Sequence, residues 1–368
     1  MDWIYLWLIN RCRAVWHTPV TAQGKLGYPA SKTWWLISLA LLSLIITGCS
    51  RFDAADKALI EHHNRLARLL NSDSKIDVDS LPASLAVPSV SSTKTILESP
   101  TYDLSDLWQY RSCGLMDMVG ERNSSLGKVM TASQQLIYET RLLATLNRCL
   151  SAELAQEQIN WLTSVAEMKQ KQLAARWNNL MWSEPTLRKL QSVPAQRTLP
   201  RPFRQQTAIT LAALASLKLE TLNQSAVLDQ SFEQMLSEVR GSQYLGQLTQ
   251  DGRIALHIIN ETNALLDRVL PQVTCIDNKA SSQAKQLKGY LLGYYGSEVQ
   301  PSVSNLMREL EAVSPAINQL FPSPPKGSAI GLLKSGEASL RAELLSAIAE
   351  HRLHWQTMFD RCGLSLQS

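Results

Sequence analysis

Residues 340–362 read LRAELLSAIAEHRLHWQTMFDRC. Leu340, Leu344, Ile348, His351, Trp355, Phe359 and Cys362 follow one another at intervals of four, four, three, four, four and three. This spacing keeps all seven on one face of a helix with 3.6 residues per turn, while Arg341, Glu343, Arg352 and Gln356 fall elsewhere. An apolar stripe of this length predicts a long helix lying on a core.

The same period recurs upstream. Ile254, Ile258, Leu265 and Val269 stripe a helix that Pro271 should end. Residues 208–217, AITLAALASL, are apolar on every side and predict a central buried helix, too short at ten residues to span a bilayer. Tyr138, Leu142, Leu146 and Cys149 share a face, and Ser151 is placed to cap a helix from about residue 152 to 182. Its inward positions are Ile159, Leu162, Ala166, Leu173 and Trp177. Residues 53–70 carry Ala58, Leu59, His62, Leu66, Leu69 and Leu70 at helical spacing. Residues 71–106, with Pro82, Pro88 and Pro100, read as an extended connector laid over the surface. Prolines mark two further loops, residues 183–206 and 321–336. No strand-period run exceeds the helical ones and no repeat recurs. The predicted fold is all-α: a bundle of long antiparallel helices with a surface-laid N-terminal connector, stapled by disulfides.

Residues 34–49, WWLISLALLSLIITGC, are uncharged, apolar and end in small residues before Cys49, with Lys25 and Lys32 on the N-terminal side. This resembles a bacterial lipoprotein signal, in which the cysteine thiol is acylated and becomes the first mature residue. The alternative is a retained membrane helix, but residues 34–48 are shorter than the roughly 18 residues a span requires. By resemblance to Gram-negative sorting rules, Ser50 implies the outer membrane. Residues 1–30 fit a signal poorly and read as a start assigned too early or an extension. The expected organisation is residues 1–48 as signal and extension, 49–106 as lipid anchor, short helix and connector, and 107–368 as the helical bundle.

Removing residues 1–48 takes away Arg11, Arg13, Lys25, Lys32 and Asp2, so 32 basic residues face 31 acidic ones, against +4 for the whole chain. A near-neutral mature protein gives no support for binding nucleic acid. Besides Cys49, four cysteines remain in it: Cys113, Cys149, Cys275 and Cys362. An even number in an oxidising compartment reads as two disulfides, with three pairings open. Cys149 points into the core beside the preceding helix, and Cys362 ends the stripe through Trp355 and Phe359. We therefore expect Cys113–Cys149 and Cys275–Cys362.

Catalytic motifs are absent: no GxSxG, HExxH, P-loop, GxGxxG or CxxC occurs. No catalytic residue, metal or cofactor is therefore predicted. His351 and His354 could share a metal beside Glu350, but His351 lies on the apolar stripe and reads as a hydrogen-bonded core histidine. Of His62 and His63, one should point inward and one outward. The most pointed polar segment is residues 120–130, GERNSSLGKVM, with Arg111 and Asp117 before it and Tyr138 and Glu139 after. Ser124 or Ser125 could cap the next turn, and Gly127 permits a left-handed corner. One reading is a ligand pocket with Glu121 as acid or base and Arg122 as anion clamp. The other is a buried ion-pair and capping network of Arg111, Asp117, Glu121, Arg122, Asn123 and Tyr138. In that network Arg122→Ala would strand a carboxylate and cost about 3–5 kcal/mol. Arg188, Lys189, Arg197, Arg201 and Arg204 make a basic loop that could touch anionic envelope groups or simply be solvated.

The run Cys113-Gly114-Leu115, Glu121 to Val129, Ser133-Gln134, Tyr138-Glu139 and Cys149, downstream of the signal, resembles an uncharacterised family of gammaproteobacterial lipoproteins, domain-of-unknown-function family 3080. The resemblance implies a periplasm-facing, lipid-anchored protein and carries over no activity. The expected function is a non-enzymatic helical scaffold or adaptor in the cell envelope, held to the outer membrane through Cys49, with an envelope protein as partner. The alternatives are a ligand-binding lipoprotein with a pocket at Glu121 and Arg122, and an unrecognised hydrolase. A concave corner at residues 121–127 favours binding, and a solid corner with every polar group paired favours the scaffold.

Overall fold

Helices form wherever the apolar period reaches 3.6 and stop where proline, glycine or a capping side chain intervenes. The structure, a computed structural model, describes residues 54–98, 107–195, 201–277 and 279–365. All belong to one compact unit, Ser50–Ser368. Cys49, the expected lipid attachment site, lies outside the described residues, as does Arg197 of the basic loop.

The longer helices are α1 (Ala54–Leu69), α2 (Leu115–Asn123), α3 (Ala132–Leu150), α4 (Gln156–Ser183), α5 (Pro185–Gln191), α6 (Arg201–Leu222), α7 (Gln230–Glu238), α8 (Tyr244–Val269), α9 (Ser282–Tyr290), α10 (Gln300–Leu320) and α11 (Leu340–Arg361). Leu291–Val299 joins α9 to α10 in π-helical turns. The all-α expectation holds. A minimal hairpin, β1 (Cys275–Ile276) with β2 (Lys279–Ala280), pairs Cys275 with Ala280. No described helix is long and apolar enough to cross a membrane.

The apolar stripe that begins at Leu340 forms α11, and Leu340, Leu344, His351, Trp355, Phe359 and Cys362 are all buried. It packs along α8, which is the most enclosed helix among the described residues: its first nine residues are buried on every side. Residues 208–217 were expected in that central place. Within α6 they instead bury Leu211, Leu214 and Ala215 and leave Ile209, Ala212 and Ala213 exposed. Alanine-rich apolarity does not itself demand burial, because surfaces retain much apolar area. The main core fills the space between α4, α6, α8, α10 and α11 around Trp177, Trp182, Phe232 and Phe321. Trp177 Nε1 donates to Thr221 Oγ1 at 2.8 Å, so its burial leaves no polar group unpaired.

Both expected disulfides are present, Cys113–Cys149 and Cys275–Cys362. Each sits in its own smaller core, one around Leu115, Tyr138, Leu142, Leu146 and Leu162, the other around Leu266, Val273, Trp355 and Phe359. The connector runs over the surface as expected as far as residue 98, apart from the single helical turn Val90–Thr93 and the tight turn Val78–Ser80. It has little core of its own, so side chains of the bundle hold its backbone. Gln250 donates to the Pro82 carbonyl, Arg253 to that of Ala83 and Arg188 to that of Pro88.

Three local expectations are corrected. Ser151 does not open α4; it ends α3, its hydroxyl donating to the carbonyls of Asn147 and Arg148. The start of α4 is set by Gln158, whose side-chain oxygen accepts from Ala155 N–H at 2.8 Å. The loop expected over residues 183–206 contains α5 and the first turns of α6, because Pro185 occupies the first turn of a helix, where its missing N–H is not needed. The basic reading of that loop fails for Arg188 and Arg204. Arg188 is spent on backbone carbonyls, and Arg204 is buried against Asp251 at 3.4 Å and Glu309 at 2.8 Å.

Candidate functional site

The corner after Cys113 is built from short-range hydrogen bonds. Gly114 takes φ +84°, a left-handed conformation that favours glycine, and starts α2. α2 ends at Asn123; Ser124 Oγ then accepts from Gly127 N–H at 3.0 Å and caps the turn Ser125–Lys128. Gly127 is not left-handed, contrary to expectation. It is required because a Cβ there would sit 2.3 Å from the Glu121 carbonyl oxygen and 2.4 Å from that of Arg122. Gly127→Ala must push two stretches of backbone apart and should cost about 1–3 kcal/mol, read as a shift in urea midpoint. An unmoved midpoint would show that the corner is loosely packed.

The buried ion-pair network expected here does not form. Glu121 pairs with Arg141 at 3.1 Å on the surface, both side chains well exposed. Arg122 donates to the Gly127 carbonyl and thereby braces the corner. Arg111 lies over the Trp108 ring and donates to the Trp108 carbonyl, and Asp117 is exposed. Consecutive residues around a helix end fan outward, so these charges face different ways. Removing Arg122 strands no carboxylate, and the large cost attached to that network does not apply.

Three of the expected residues, Arg122, Asn123 and Tyr138, instead line a cleft of about 640 Å³. Its walls are one face each of α2, α3 and α4. α3 supplies Gln135, Tyr138, Glu139, Leu142 and Leu146, and α4 supplies Trp161, Val165, Lys169, Arg176 and Asn179. Only five residues join these two long helices, which pack side by side, so they run antiparallel. Leu142 and Leu146 therefore face Trp161 and Val165 at the disulfide end, while Glu139 faces Lys169 and Arg176 at the other. The remaining wall is the connector, Lys94 to Leu97. Asn179 fixes it: Thr95 N–H donates to Asn179 Oδ1 at 2.7 Å, and Asn179 Nδ2 donates to the Thr95 carbonyl at 2.8 Å.

Sequence reasoning missed the ionic part of this site. Glu139 is buried, with Arg176 Nη2 2.7 Å from Oε1 and Lys169 Nζ 3.1 Å from Oε2. The Nε of Arg176 is buried with no hydrogen-bond partner among the described residues. A signal was available: Glu139 lies three residues before Leu142, on the continuation of the apolar stripe, where a charge needs a partner. Tyr138 is buried beside it. Burial first, then the Glu139 carboxylate, push its hydroxyl up to about 12, against the opposing pull of Arg122. It stays protonated and can donate. Among the described residues, five cations, Lys94, Arg122, Lys128, Lys169 and Arg176, line the cleft against one carboxylate, that of Glu139.

The histidines lie elsewhere. His351 reads as expected: it lies 2.9 Å from Asn263 Oδ1 through Nδ1 and accepts from Trp355 Nε1 at 3.0 Å through Nε2. That acceptance fixes the proton on Nδ1, the neutral tautomer. His62 and His63 are both buried, not one in and one out. α1 is covered on two sides, so His62 meets Tyr290 Oη at 2.7 Å and His63 meets Thr262 and Ser74. No group of three or more metal-ligating side chains gathers among the described residues. Burial lowers His351 to about 3 and, with the neighbouring His351 and His63, holds His62 well below its ordinary value. Unfolded histidines take protons near 6.5 while these two stay neutral, so the unfolded state binds more protons and stability falls as pH falls below 6.5. Together they should remove about 2.5 kcal/mol between pH 7 and 5.5, measured by urea unfolding at both values. Equal stability at the two would mean that water reaches these rings.

With this geometry in place, comparison with known proteins gives one match. The model of a family described as protein of unknown function (DUF3080) covers residues 59–366. No curated protein and no solved structure matches the chain.

Proposed function

The chain belongs to that family of unknown function, and on this premise we propose that it is a lipid-anchored envelope protein that binds a small molecule in the cleft between α2, α3 and α4. One observation carries the reading: the corner at residues 121–127 is concave, not solid, and its cleft has the size of ligand sites, which run from about 300 to 1,000 Å³. Among the described residues no buried side-chain polar atom of residues 120–130 is unpaired, as the scaffold reading asked, but across the cleft the buried Nε of Arg176 on α4 has no partner, which favours a site that is open to a guest. Binding without turnover is favoured over hydrolysis because, among the described residues, the lining holds no serine, cysteine or histidine to act as nucleophile or base.

Native mass spectrometry of the purified chain tests this. The wild type should carry a bound small molecule, and Asn123→Trp, which sets an indole at an exposed position on the cleft wall, should lose it while melting normally. A wild-type chain that carries nothing, and gains no thermal stability from a total small-molecule and lipid extract, would overturn the reading. The anchor is tested separately: Cys49→Ala should leave an unlipidated, globomycin-insensitive precursor. If that variant is processed and membrane-bound like wild type, Cys49 is not the attachment site.

A further inference from the structure

The cleft is polarised along its length, and the polarity identifies a ligand class. Its disulfide end is walled by Leu142, Leu146, Trp161 and Val165, with no charge among them. Glu139 lies about one helical turn before Leu142, and on the facing wall Lys169 lies about one turn and Arg176 about three turns past Val165. Glu139 already faces two cations, so its negative charge is more than compensated before any guest arrives. Lys169 and Arg176 are only 11% and 14% exposed, yet they share one carboxylate. Arg122 and Lys128 on one wall and Lys94 on the other add positive charge, and among the described residues none of the three pairs with a carboxylate. The whole mature chain is near neutral, so this surplus is local. A neutral apolar guest would desolvate the cationic end without compensating it, which is costly. A small inorganic anion would leave the apolar end to water.

We propose that the cleft binds an amphiphilic anion, with a carboxylate or phosphate head at Lys169 and Arg176 and an apolar body between Leu142, Leu146, Trp161 and Val165. This rests on the reading of the cleft as a ligand site. Arg176 is suited to the head group: its guanidinium has donors beyond the one directed at Glu139, including the unpartnered Nε. Trp161 and the leucines supply the area that holds the tail.

The test uses the full chain in lipid nanodiscs, with empty nanodiscs as blank, titrated calorimetrically with dodecanoate, dodecyl phosphate, dodecanol and inorganic phosphate. Dodecanoate or dodecyl phosphate should bind at least tenfold more tightly than dodecanol and than inorganic phosphate. Whichever of the two binds more tightly identifies a fatty-acid or a phospholipid-type head as the natural match. The variant Lys94→Gln/Lys128→Gln, at two cations that pair with no carboxylate among the described residues, should weaken both anions about fivefold while keeping its melting temperature. Dodecanol binding as tightly as dodecanoate, or inorganic phosphate as tightly as dodecyl phosphate, overturns the assignment. If native mass spectrometry shows an occupant that neither anion displaces, the cleft remains a ligand site and only the class is wrong. If the chain carries no occupant and no probe binds, both readings fall.

Discussion

Replacing Cys275 and Cys362 together by alanine lowers the unfolding free energy by about 4–5 kcal/mol. The bond closes a loop of 87 residues, and on the chain-entropy model the denatured state regains most of the freedom that closure removed. The pair at Cys113 and Cys149 closes 36 residues, so its removal should cost slightly less, about 4 kcal/mol. Position adds to length at the first site. Cys362 is buried among Trp355, Met358 and Phe359, and the bond ties the last turn of α11 to the hairpin that follows α8. Arg361 reinforces the same junction by donating to the carbonyls of Leu270, Pro271 and Val273. Urea unfolding of the wild type and the double variant, with and without reductant, measures the effect. Reductant should bring the wild type close to the variant and leave the variant unmoved. If the double variant unfolds at the wild-type midpoint, the bond contributes no stability.

The pairing was legible because it depends on helix phase, which sequence records well. Cys149 and Cys362 each end a stripe whose earlier members, Leu146 and Phe359, are buried. A residue in register with a core stripe faces the core, and a second cysteine near the adjoining helix end is then the natural partner. Phase also placed His351 correctly. It failed for His63 because a helix covered on two sides buries positions that a single-stripe pattern assigns to solvent. It failed for α6 because alanine carries little phase information, and a face of Ile209, Ala212 and Ala213 remains exposed. The candidate site was half legible. The segment around Arg122 and Asn123 was singled out by its density of polar and glycine residues, and these two do line the cleft. What the sequence conceals is the opposite wall. Lys169 and Arg176 lie 30 and 37 positions beyond Glu139 and read as ordinary surface cations of a long helix. They meet Glu139 only because the α3–α4 connection is short enough to fold one helix back along the other. Lys94 is further removed still, since Asn179 brings its connector to the cleft through backbone hydrogen bonds that no pattern of side chains announces.

Glu139 is where stability and binding oppose each other most directly. Its carboxylate, 5% exposed, is the counterion for Lys169 and Arg176. Glu139→Gln keeps the shape and removes the charge, leaving two largely buried cations without compensation, and should cost about 3–5 kcal/mol. The same change raises the formal surplus of the cleft by one positive charge. An anion seated there takes over the role of the missing carboxylate, so the variant should bind dodecanoate more tightly than wild type. Because a ligand stabilises the folded state by RT ln(1 + [L]/Kd), the variant should also recover a larger share of its stability on adding dodecanoate at fixed concentration. Stability and affinity thus move in opposite directions from a single substitution, a combination that neither a folding defect nor a loss of contact produces. Urea unfolding of both proteins, with and without dodecanoate in the nanodisc preparation, reads the two effects together. A loss below about 1 kcal/mol would place the cations in water and not in the wall of the cleft. A full loss with no recovery on adding dodecanoate would mean that the anion does not reach Lys169 and Arg176, and that Glu139 only closes the α3–α4 pair.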